Sequence, residues 1–168
     1  SQYRQLVFGD EEQKFQFDSH ISPDIYVVNV NRSRYKQNLK PGSLNLYISG
    51  SGLGNLHLTD DSVTSTGSAV LTNVGRQFNI VSGANGVRSG SDLGQVGSSA
   101  SYGLFYPDAG FMIFNPDALG YPWGNGNNHL IPARSASEAT RNHEKLVTAI
   151  SGAGHFIVDS EEKISSQY

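Results

Sequence analysis

Few residues of this chain have the types and spacing that catalysis or metal binding requires. The nearest approach to clustered ligands is His143-Glu144 and the adjacent acids Asp60-Asp61, and no His-x-x-x-His, His-Glu-x-x-His or Asp-x-Asp-x-Asn-Gly pattern occurs. Glu161 and Glu162 would point to opposite faces of a strand, so they do not form the acid pair of a glycosidase. We interpret Asp60-Asp61 as the end of a strand and His143 as half facing a core, and we predict no metal site.

The patterns of hydrolases and nucleotide-binding loops are missing as well. Gly-x-Ser-x-Gly is absent, and the five His residues are scattered along the chain. The glycine-rich segment Gly50–Gly54 lacks the Lys-Ser/Thr of a P-loop, and it precedes a strand pattern where phosphate binding needs a helix N-terminus. We interpret this segment as a hairpin tip. The sequence therefore predicts no enzymatic activity and no cofactor.

Two segments have the composition of contact surfaces. In residues 121–129, aromatic and amide side chains are combined, which suits both a sugar-contacting loop and a subunit interface. We expect the only Trp, Trp123, to be buried against its own core or a neighbouring subunit, because protein interfaces are enriched in Trp. An extended segment would place the cations at 32, 34 and 36 on one face, which we interpret as a solvated or protein-binding edge. The candidate interface or glycan contacts are Trp123, Tyr121, Asn125, Asn127, Arg32, Arg34 and Lys36.

Composition limits the fold class and the partners. The 168 residues carry a net charge of -3, so no overall attraction to nucleic acid or to an anionic membrane is expected. Cysteine is absent, which excludes disulfides and thiolate metal sites. Hydrophobic residues make up 37% and charged residues 16%, with 19 Gly, which is typical of a β-rich protein with many turns. No apolar run is long enough to predict a transmembrane helix.

The densest apolar stretch predicts a hairpin at the centre of the core. Two apolar runs, Leu104–Tyr106 and Phe111–Phe114, flank the four residues Pro107–Gly110. Pro presets φ for a turn, Asp is expected to bond its own backbone, and Gly accepts positive φ. Because apolar side chains alternate onto both faces of the second run, we expect Phe111 and Ile113 to be core residues of a strand covered on both sides.

Alternating apolar residues predict further strands, and one segment has a helical pattern. The strands are expected at residues 15–17, 25–31, 44–48, 56–58, 69–71, 78–81, 155–158 and 164–168. Ser135 and Glu138 form a capping box ahead of a helical apolar face, and Gly152 supplies a stop. The predicted fold class is mainly β, a β-sandwich or open barrel-like sheet with hairpins, plus one α-helix in the C-terminal half, about Ala136 to Ser151.

We expect one domain with an arm. The polar residues 1–22 are interpreted as an extended N-terminal arm that orders against a partner, and residues 23–168 as a single β-rich domain. The Gly/Ser-rich residues 82–101 are too many, and their side chains too small, for an ordinary turn, so we expect a loop that is mobile or draped over a neighbouring chain.

Several segments together resemble one family, the virion structural proteins of contractile-tailed phages (myoviruses), especially those that infect marine cyanobacteria. The hallmarks are a strand that ends in Leu-Thr-Asp-Asp-Ser, a Tyr-Pro-Asp turn before an apolar strand, and a Ser-Glu-Glu segment that leads into another strand. The resemblance covers about residues 38–168 and is carried by turn and strand signatures. The matching segments are Ser43–Ile48, Leu56–Ser62, Gly75–Gly83, Tyr102–Gly110, Asn127–Leu130 and Asp159–Ile164.

The resemblance implies a structural role in the phage particle, in the tail or baseplate rather than the capsid. The implied partners are other virion proteins and copies of the chain itself, with no nucleic acid and no membrane, and no catalytic residues carry over. The family's chains continue past the Ser-Glu-Glu strand, which implies that this chain is part of a longer protein. The alternative is a receptor- or glycan-binding tail module that uses Trp123, and an enzyme acting on surface polysaccharide has little support.

Overall fold

The computed structural model describes residues 2–18, 20–22, 25–50, 54–64, 69–88, 101–116, 118, 150–151, 155–158 and 164–167. Within these ranges the protein is mainly β, as predicted, and the α-helix whose bounds are described, α1, lies at the N-terminus. None of the described helices is long and apolar enough to span a membrane. The elements are α1 Gln2–Phe8, β1 Gln16–Phe17, β2 His20–Ile21, β3 Tyr26–Asn29, a 3-10 helix Arg32–Arg34, β4 Leu46–Gly50, β5 Gly54–Asp60, β6 Val70–Thr72, β7 Gly75–Ala84, β8 Val87–Arg88, β9 Gly103–Tyr106, β10 Phe111–Phe114, β11 Ile150–Ser151, β12 His155–Val158 and β13 Ile164–Gln167.

Nine of these strands form one antiparallel sheet, the main sheet. Its order is β11-β4-β5-β7-β9-β10-β3, and β6 and β8 both pair with the long strand β7. Four of its eight pairings join strands that are consecutive in sequence, namely β4–β5, β6–β7, β7–β8 and β9–β10. The strands predicted from alternating apolar residues are found, and half of the pairings in the main sheet bring together strands that are distant in sequence. Two separate two-stranded sheets pair β1 with β2 and β12 with β13.

The central hairpin has the predicted form. Phe111 lies opposite Tyr106, which leaves the four residues 107–110 as the loop. The Gly110 N–H donates to the Tyr106 carbonyl at 2.8 Å, and Gly110 has a φ of +77°, as the turn requires. Every residue of β9 and β10 is buried, including Phe111 and Ile113. The prediction of a core strand covered on both sides is confirmed.

Two hydrophobic clusters lie on the two faces of β10, since side chains alternate along a strand. Met112 and Phe114 belong to one, the inner cluster, and Phe111 and Ile113 belong to the other, the outer cluster. The inner cluster also contains Leu46, Leu58, Phe78, Ile80, Tyr102, Phe105 and Ala118. The outer cluster also contains Val7, Phe15, Phe17, Leu104 and Tyr106.

The N-terminal segment covers the outer face of the main sheet, which corrects the prediction of an extended arm. Residues 2–8 form helix α1, and Val7, Phe15 and Phe17 are each at most 1% exposed. The physical reason is that β9 and β10 are apolar on both faces, so an element must cover each face to remove it from water. Tyr3 and Val7 lie four residues apart and face the sheet together, which is a helical signal too short to stand out in the sequence.

The predicted mobile loop at 82–101 begins in a regular hairpin. Residues 82–84 are the end of β7, and Val87 and Arg88 form β8, which pairs back onto Gly83 and Ala84. The connecting residues Asn85 and Gly86 have φ values of +52° and +79°, which is the pattern of a type I′ turn. Asn-Gly is the strongest short hairpin signal, and we overlooked it inside a Gly/Ser-rich segment. Residues 89–100 lie outside the described residues.

The prediction that the C-terminal helix extends to Ser151 is wrong. Ile150 and Ser151 form β11, which pairs with Ile48 and Tyr47 at the edge of the main sheet. Pairing with an available strand edge outweighs a local helical pattern, since tertiary contacts routinely override propensity. Residues 136–149 lie outside the described residues.

Candidate functional site

The hairpin β6–β7 presents a strand edge. In β6, Val70, Leu71 and Thr72 pair with the first residues of β7, and among the described residues β6 has no partner on its other side. The hairpin is held locally: the Thr72 hydroxyl donates to the Gly75 carbonyl at 2.9 Å and accepts from the Val74 N–H at 3.3 Å. Gly75 has a φ of +106°, a conformation that L side chains rarely adopt. Among the described residues, the edge of β6 is therefore held in a defined position and is unpaired.

Large apolar side chains are exposed on this edge. Val70 is 57% exposed and Leu71 is 79% exposed, the largest exposure among the big apolar residues that are described. Proteins normally protect sheet edges with charged side chains, Pro or bulges. An unprotected apolar edge is typical of a strand that pairs with another chain.

A groove of about 550 Å³ separates β6 from the N-terminal segment. Its apolar part is formed by Val7, Phe8 and Leu104, and its exposed wall by Val70 and Leu71. The remaining lining residues are Gln13, Lys14, Gln16, Thr72, Asn73 and Gln77. The described lining contains no carboxylate, histidine or serine, and its apolar and amide side chains form a surface that suits an extended segment. We call β6 and this lining the β6 groove.

The cations predicted to share a face of an extended segment lie instead on a compact loop. Residues 31–40, here called the basic loop, begin with the 3-10 helix Arg32–Arg34, capped by the Asn31 side chain, which accepts the Ser33 N–H at 3.0 Å. Arg32 donates to the Gln37 carbonyl at 2.7 Å, and its guanidinium lies 4.7 Å from the centre of the Tyr35 ring. The cations of the loop, Arg32, Arg34, Lys36 and Lys40, are all exposed.

The basic loop is anchored on the turn of the central hairpin. The Tyr35 hydroxyl donates to the Ala109 carbonyl at 3.3 Å, and the Leu39 N–H donates to the Pro107 carbonyl at 2.9 Å. Gly110 is required at this contact, because a Cβ there would collide with the Tyr35 ring and hydroxyl. The loop therefore presents its charges from a fixed backbone.

The adjacent acids Asp60 and Asp61 hold neighbouring segments in place by accepting hydrogen bonds. Asp60 is the last residue of β5, as interpreted, and its buried carboxylate accepts the Gly42 N–H at 2.7 Å. The Asp61 carboxylate accepts the backbone N–H of Asn79 at 2.9 Å and its side-chain amide at 3.1 Å. Burial raises the pKa of Asp61 despite these hydrogen bonds. Within the described part of the chain, no group of three or more His, Asp or Glu residues could hold a metal ion.

An exposed polar network that sequence reasoning missed surrounds Asn45. The Asn45 carbonyl oxygen accepts the Asn85 backbone N–H at 3.1 Å, and its amide donates to the Asn85 side chain at 3.0 Å. Because that backbone N–H can only donate, His57, which lies 2.9 Å from the same oxygen, must donate through Nε2. The His57 ring stacks on Tyr47 with centroids 4.1 Å apart. The Asn85-Gly86 turn signal was the only sequence feature that pointed to this network.

The described surface thus offers two candidate contact regions, the β6 groove and the basic loop. The predicted contacts Arg32, Arg34 and Lys36 lie together on the basic loop. Trp123, Tyr121, Asn125 and Asn127 lie outside the described residues, as do His143, Glu161 and Glu162. Comparisons with models of protein families, with curated proteins and with solved structures gave no significant match.

Proposed function

We propose that this chain is a structural protein of a contractile-tailed phage particle, in its tail or baseplate, which acts through contacts with copies of itself and with other virion proteins. The observation that carries the assembly role is the exposed apolar edge of β6, with Leu71 79% exposed beside an apolar groove. The phage assignment itself is supported by the strand and turn signatures at 56–62 and 102–110. The proposal includes no catalytic activity and no cofactor, nucleic acid or membrane.

Addition of a strand from another chain would use both the unpaired edge of β6 and the exposed apolar side chains of the β6 groove. A strand from a neighbouring chain would hydrogen-bond to the free backbone groups of β6, each bond contributing on the order of 1 kcal/mol. Its side chains would cover Val70 and Leu71, and burial of a large aliphatic side chain contributes about 1.5–3 kcal/mol. Val7 and Leu104 already form buried support beneath the groove. A short edge can therefore give a specific subunit contact of moderate strength.

Sedimentation velocity combined with negative-stain electron microscopy tests the assembly role. The purified chain should form discrete oligomers, rings or tubes as its concentration rises. Leu71→Lys should weaken this association about tenfold or more, because a charged side chain would have to be buried at the contact. Val87→Lys is the matched control, since Val87 is 47% exposed on β8 and does not line the groove.

Two results would contradict the assembly role at β6. One is a chain that stays monomeric at concentrations up to about 1 mM, alone and with the other proteins of the particle. The other is association that Leu71→Lys and Val87→Lys affect equally. The phage assignment is tested separately, by labelling particles with antibodies against this chain: labelling confined to the host cell would refute it.

A further inference from the structure

The turn of the β7–β8 hairpin holds a pair of residues that can react with each other. In an Asn-Gly pair, the backbone nitrogen of glycine can attack the side-chain amide carbon of asparagine, and the missing Cβ of glycine removes the steric barrier to this approach. The chain contains two such pairs, Asn85-Gly86 and Asn125-Gly126, of which the first lies within the described residues. Asn85 is exposed to water, so its surroundings decide whether the pair reacts.

The fold holds the two reacting groups apart. Asn85 has a φ of +52°, in the left-handed region, where ψ is about +30 to +60°. At such a ψ the following nitrogen lies nearly trans to Cβ, whereas ring closure requires it to lie beside Cβ, on the same side of the Cα–C bond. The side chain is also fixed, because Oδ1 of Asn85 accepts a hydrogen bond from Nδ2 of Asn45 at 3.0 Å. The attack therefore requires the turn to open.

The Thr59 hydroxyl holds the attacking nitrogen. It lies in β5 and accepts the Gly86 N–H at 2.8 Å. Thr59 is 0% exposed and Gly86 is buried, so hydroxide does not reach the proton that must leave before the nitrogen can attack. A buried N–H that already has a partner loses this hydrogen bond on opening, which favours the closed turn. Thr59 therefore links the reactivity of the pair to the packing of the hairpin on β5.

We propose that Asn85 is a deamidation site that reacts only when the β7–β8 hairpin opens, and that the Thr59 hydroxyl controls this opening. In the open turn, hydroxide removes the proton from the Gly86 nitrogen, which then bonds to Cγ of Asn85. The side-chain amide leaves as ammonia, with a proton taken from water, and a five-membered succinimide remains. Water adds to either carbonyl of this ring and opens it, which leaves aspartate or isoaspartate at position 85. The inference is independent of the proposed assembly function.

The isoaspartate product would prevent the hairpin from closing again. Isoaspartate routes the main chain through the side chain and adds one backbone atom to the turn. The turn has no room for it, because a Cβ at Gly86 would lie 2.7 Å from Val63 Cγ2 and 2.8 Å from Gly42 Cα. The Gly86 carbonyl accepts the Val63 N–H at 3.0 Å, and the Thr64 hydroxyl accepts the Arg88 N–H at 2.8 Å. The modified chain should lose both hydrogen bonds permanently.

Peptide mapping by mass spectrometry tests the inference, with the full chain kept at neutral pH in buffer or in a denaturing concentration of urea. In urea, Asn85 and Asn125 should deamidate at similar rates, because both precede glycine in an unfolded chain. In buffer, Asn85 should react at least about tenfold more slowly than in urea, since the rate falls with the fraction of time that the turn is open. Chains with isoaspartate at position 85 should lose hydrogen-exchange protection at the Val63 and Arg88 N–H groups, and retained protection would overturn the permanent release of the hairpin.

Three variants test the role of the hydroxyl. Thr59→Val removes the acceptor and keeps the shape of the side chain, so Asn85 should deamidate about tenfold faster than in the wild type, or more. Thr59→Ser keeps the hydroxyl and is the matched control, with a rate near that of the wild type. Asn45→Ala, at an exposed position, frees the Asn85 side chain and should also accelerate the reaction. Circular dichroism checks that each variant is folded.

Each contrary result overturns the inference. Equal rates at Asn85 in buffer and in urea would show that the fold gives no protection. Reaction at Asn125 but not at Asn85 in urea would show that the turn is not a deamidation site. A folded Thr59→Val protein that reacts no faster than Thr59→Ser would show that the hydroxyl does not control opening. If Thr59→Val does not fold, a faster reaction in Asn45→Ala supports the inference and an unchanged rate overturns it.

Discussion

Asp108 and Arg76 form a two-pronged ion pair that joins two hairpins of the sheet. The Oδ1 atom of Asp108 accepts a hydrogen bond from Arg76 Nη2 at 2.7 Å. Its Oδ2 atom accepts hydrogen bonds from Arg76 Nε at 3.0 Å and from the Arg76 backbone N–H at 2.8 Å. Asp108 lies in the β9–β10 turn and Arg76 near the start of β7, beside the β6 edge. The sequence led us to expect that Asp108 bonds its own turn, and the structure shows that it bonds a neighbouring hairpin instead. Gly75 makes the approach possible, because a Cβ there would lie 2.6 Å from Oδ2.

Replacing this carboxylate should destabilise the fold and loosen β6. We expect Asp108→Asn to lower the free energy of unfolding by about 1–2 kcal/mol, since charge-assisted hydrogen bonds are lost from a pair that is partly exposed and screened. Urea melts at pH 7 measure the loss, with Asp18→Asn as a control at an exposed turn. Equal stability of Asp108→Asn and the wild type would show that the ion pair contributes nothing.

The contribution of Asp108 should depend on pH in a defined direction. Hydrogen bonding to Arg76 holds the pKa of Asp108 well below its ordinary value of 3.8. A lowered folded-state pKa means that the stabilisation is fully present above about pH 4 and is lost as the pH falls below that value. The difference between the wild type and Asp108→Asn should therefore shrink on acidification. Asp61 has a raised pKa and acts in the opposite direction, so the two proteins must be compared at each pH.

Helix α1 supplies a test of the N-terminal segment. Val7 is 1% exposed and its neighbour Leu6 is 51% exposed on the same helix. Val7→Ala should lower stability by about 1–3 kcal/mol, because burial of the lost methyl groups contributes that much, whereas Leu6→Ala should change it little. Deletion of residues 1–10 should expose the outer cluster and destabilise the domain. Unchanged melts for both the deletion and Val7→Ala would support the arm that we first expected.

Phe111 tests the centre of the core. Its ring stacks on Tyr106 with centroids 4.7 Å apart and contacts the Tyr3 ring at 5.5 Å. Phe111→Ala should cost about 3–5 kcal/mol in denaturant melts. Leu71→Ala, at an exposed position, should cost far less. A loss below about 1 kcal/mol for Phe111→Ala would contradict its place in the outer cluster.

Substitution of Gly86 tests the β7–β8 hairpin, which the Gly/Ser-rich composition of this segment did not suggest. Its φ is +79°, its N–H donates to the buried Thr59 hydroxyl at 2.8 Å, and a Cβ would lie 2.7 Å from Val63 Cγ2 and 2.8 Å from Gly42 Cα. Gly86→Ala should therefore destabilise by more than about 1 kcal/mol. Gly9→Ala is the matched control, since Gly9 also has a positive φ of +72° but only a 3.5 Å contact. Similar losses for both variants would show that backbone strain alone, and not the packing of the turn, limits position 86.

The candidate site was only partly readable from sequence. The cations at 32, 34 and 36 were identified as a contact surface, but their arrangement depends on a 3-10 helix capped by Asn31 and on Tyr35 packing against Gly110. Exposure of Val70 and Leu71 could not be predicted, because an apolar pair in a short strand is buried or exposed according to which strands lie beside it.

The sequence by itself determined the local structure of this protein. Alternating apolar residues and turn chemistry specified the hairpins, and the two apolar faces of Phe111–Phe114 specified a strand covered on both sides, because these signals act over a few residues. Only the tertiary structure decided which elements provide the cover. A seven-residue helix covers the outer face, and Ile150 and Ser151 pair with the edge of the sheet. Asp108 bonds Arg76 of a neighbouring hairpin and not the backbone of its own turn. Each of these outcomes depends on contacts between residues far apart in the chain, where burial and pairing outweigh weak local preferences.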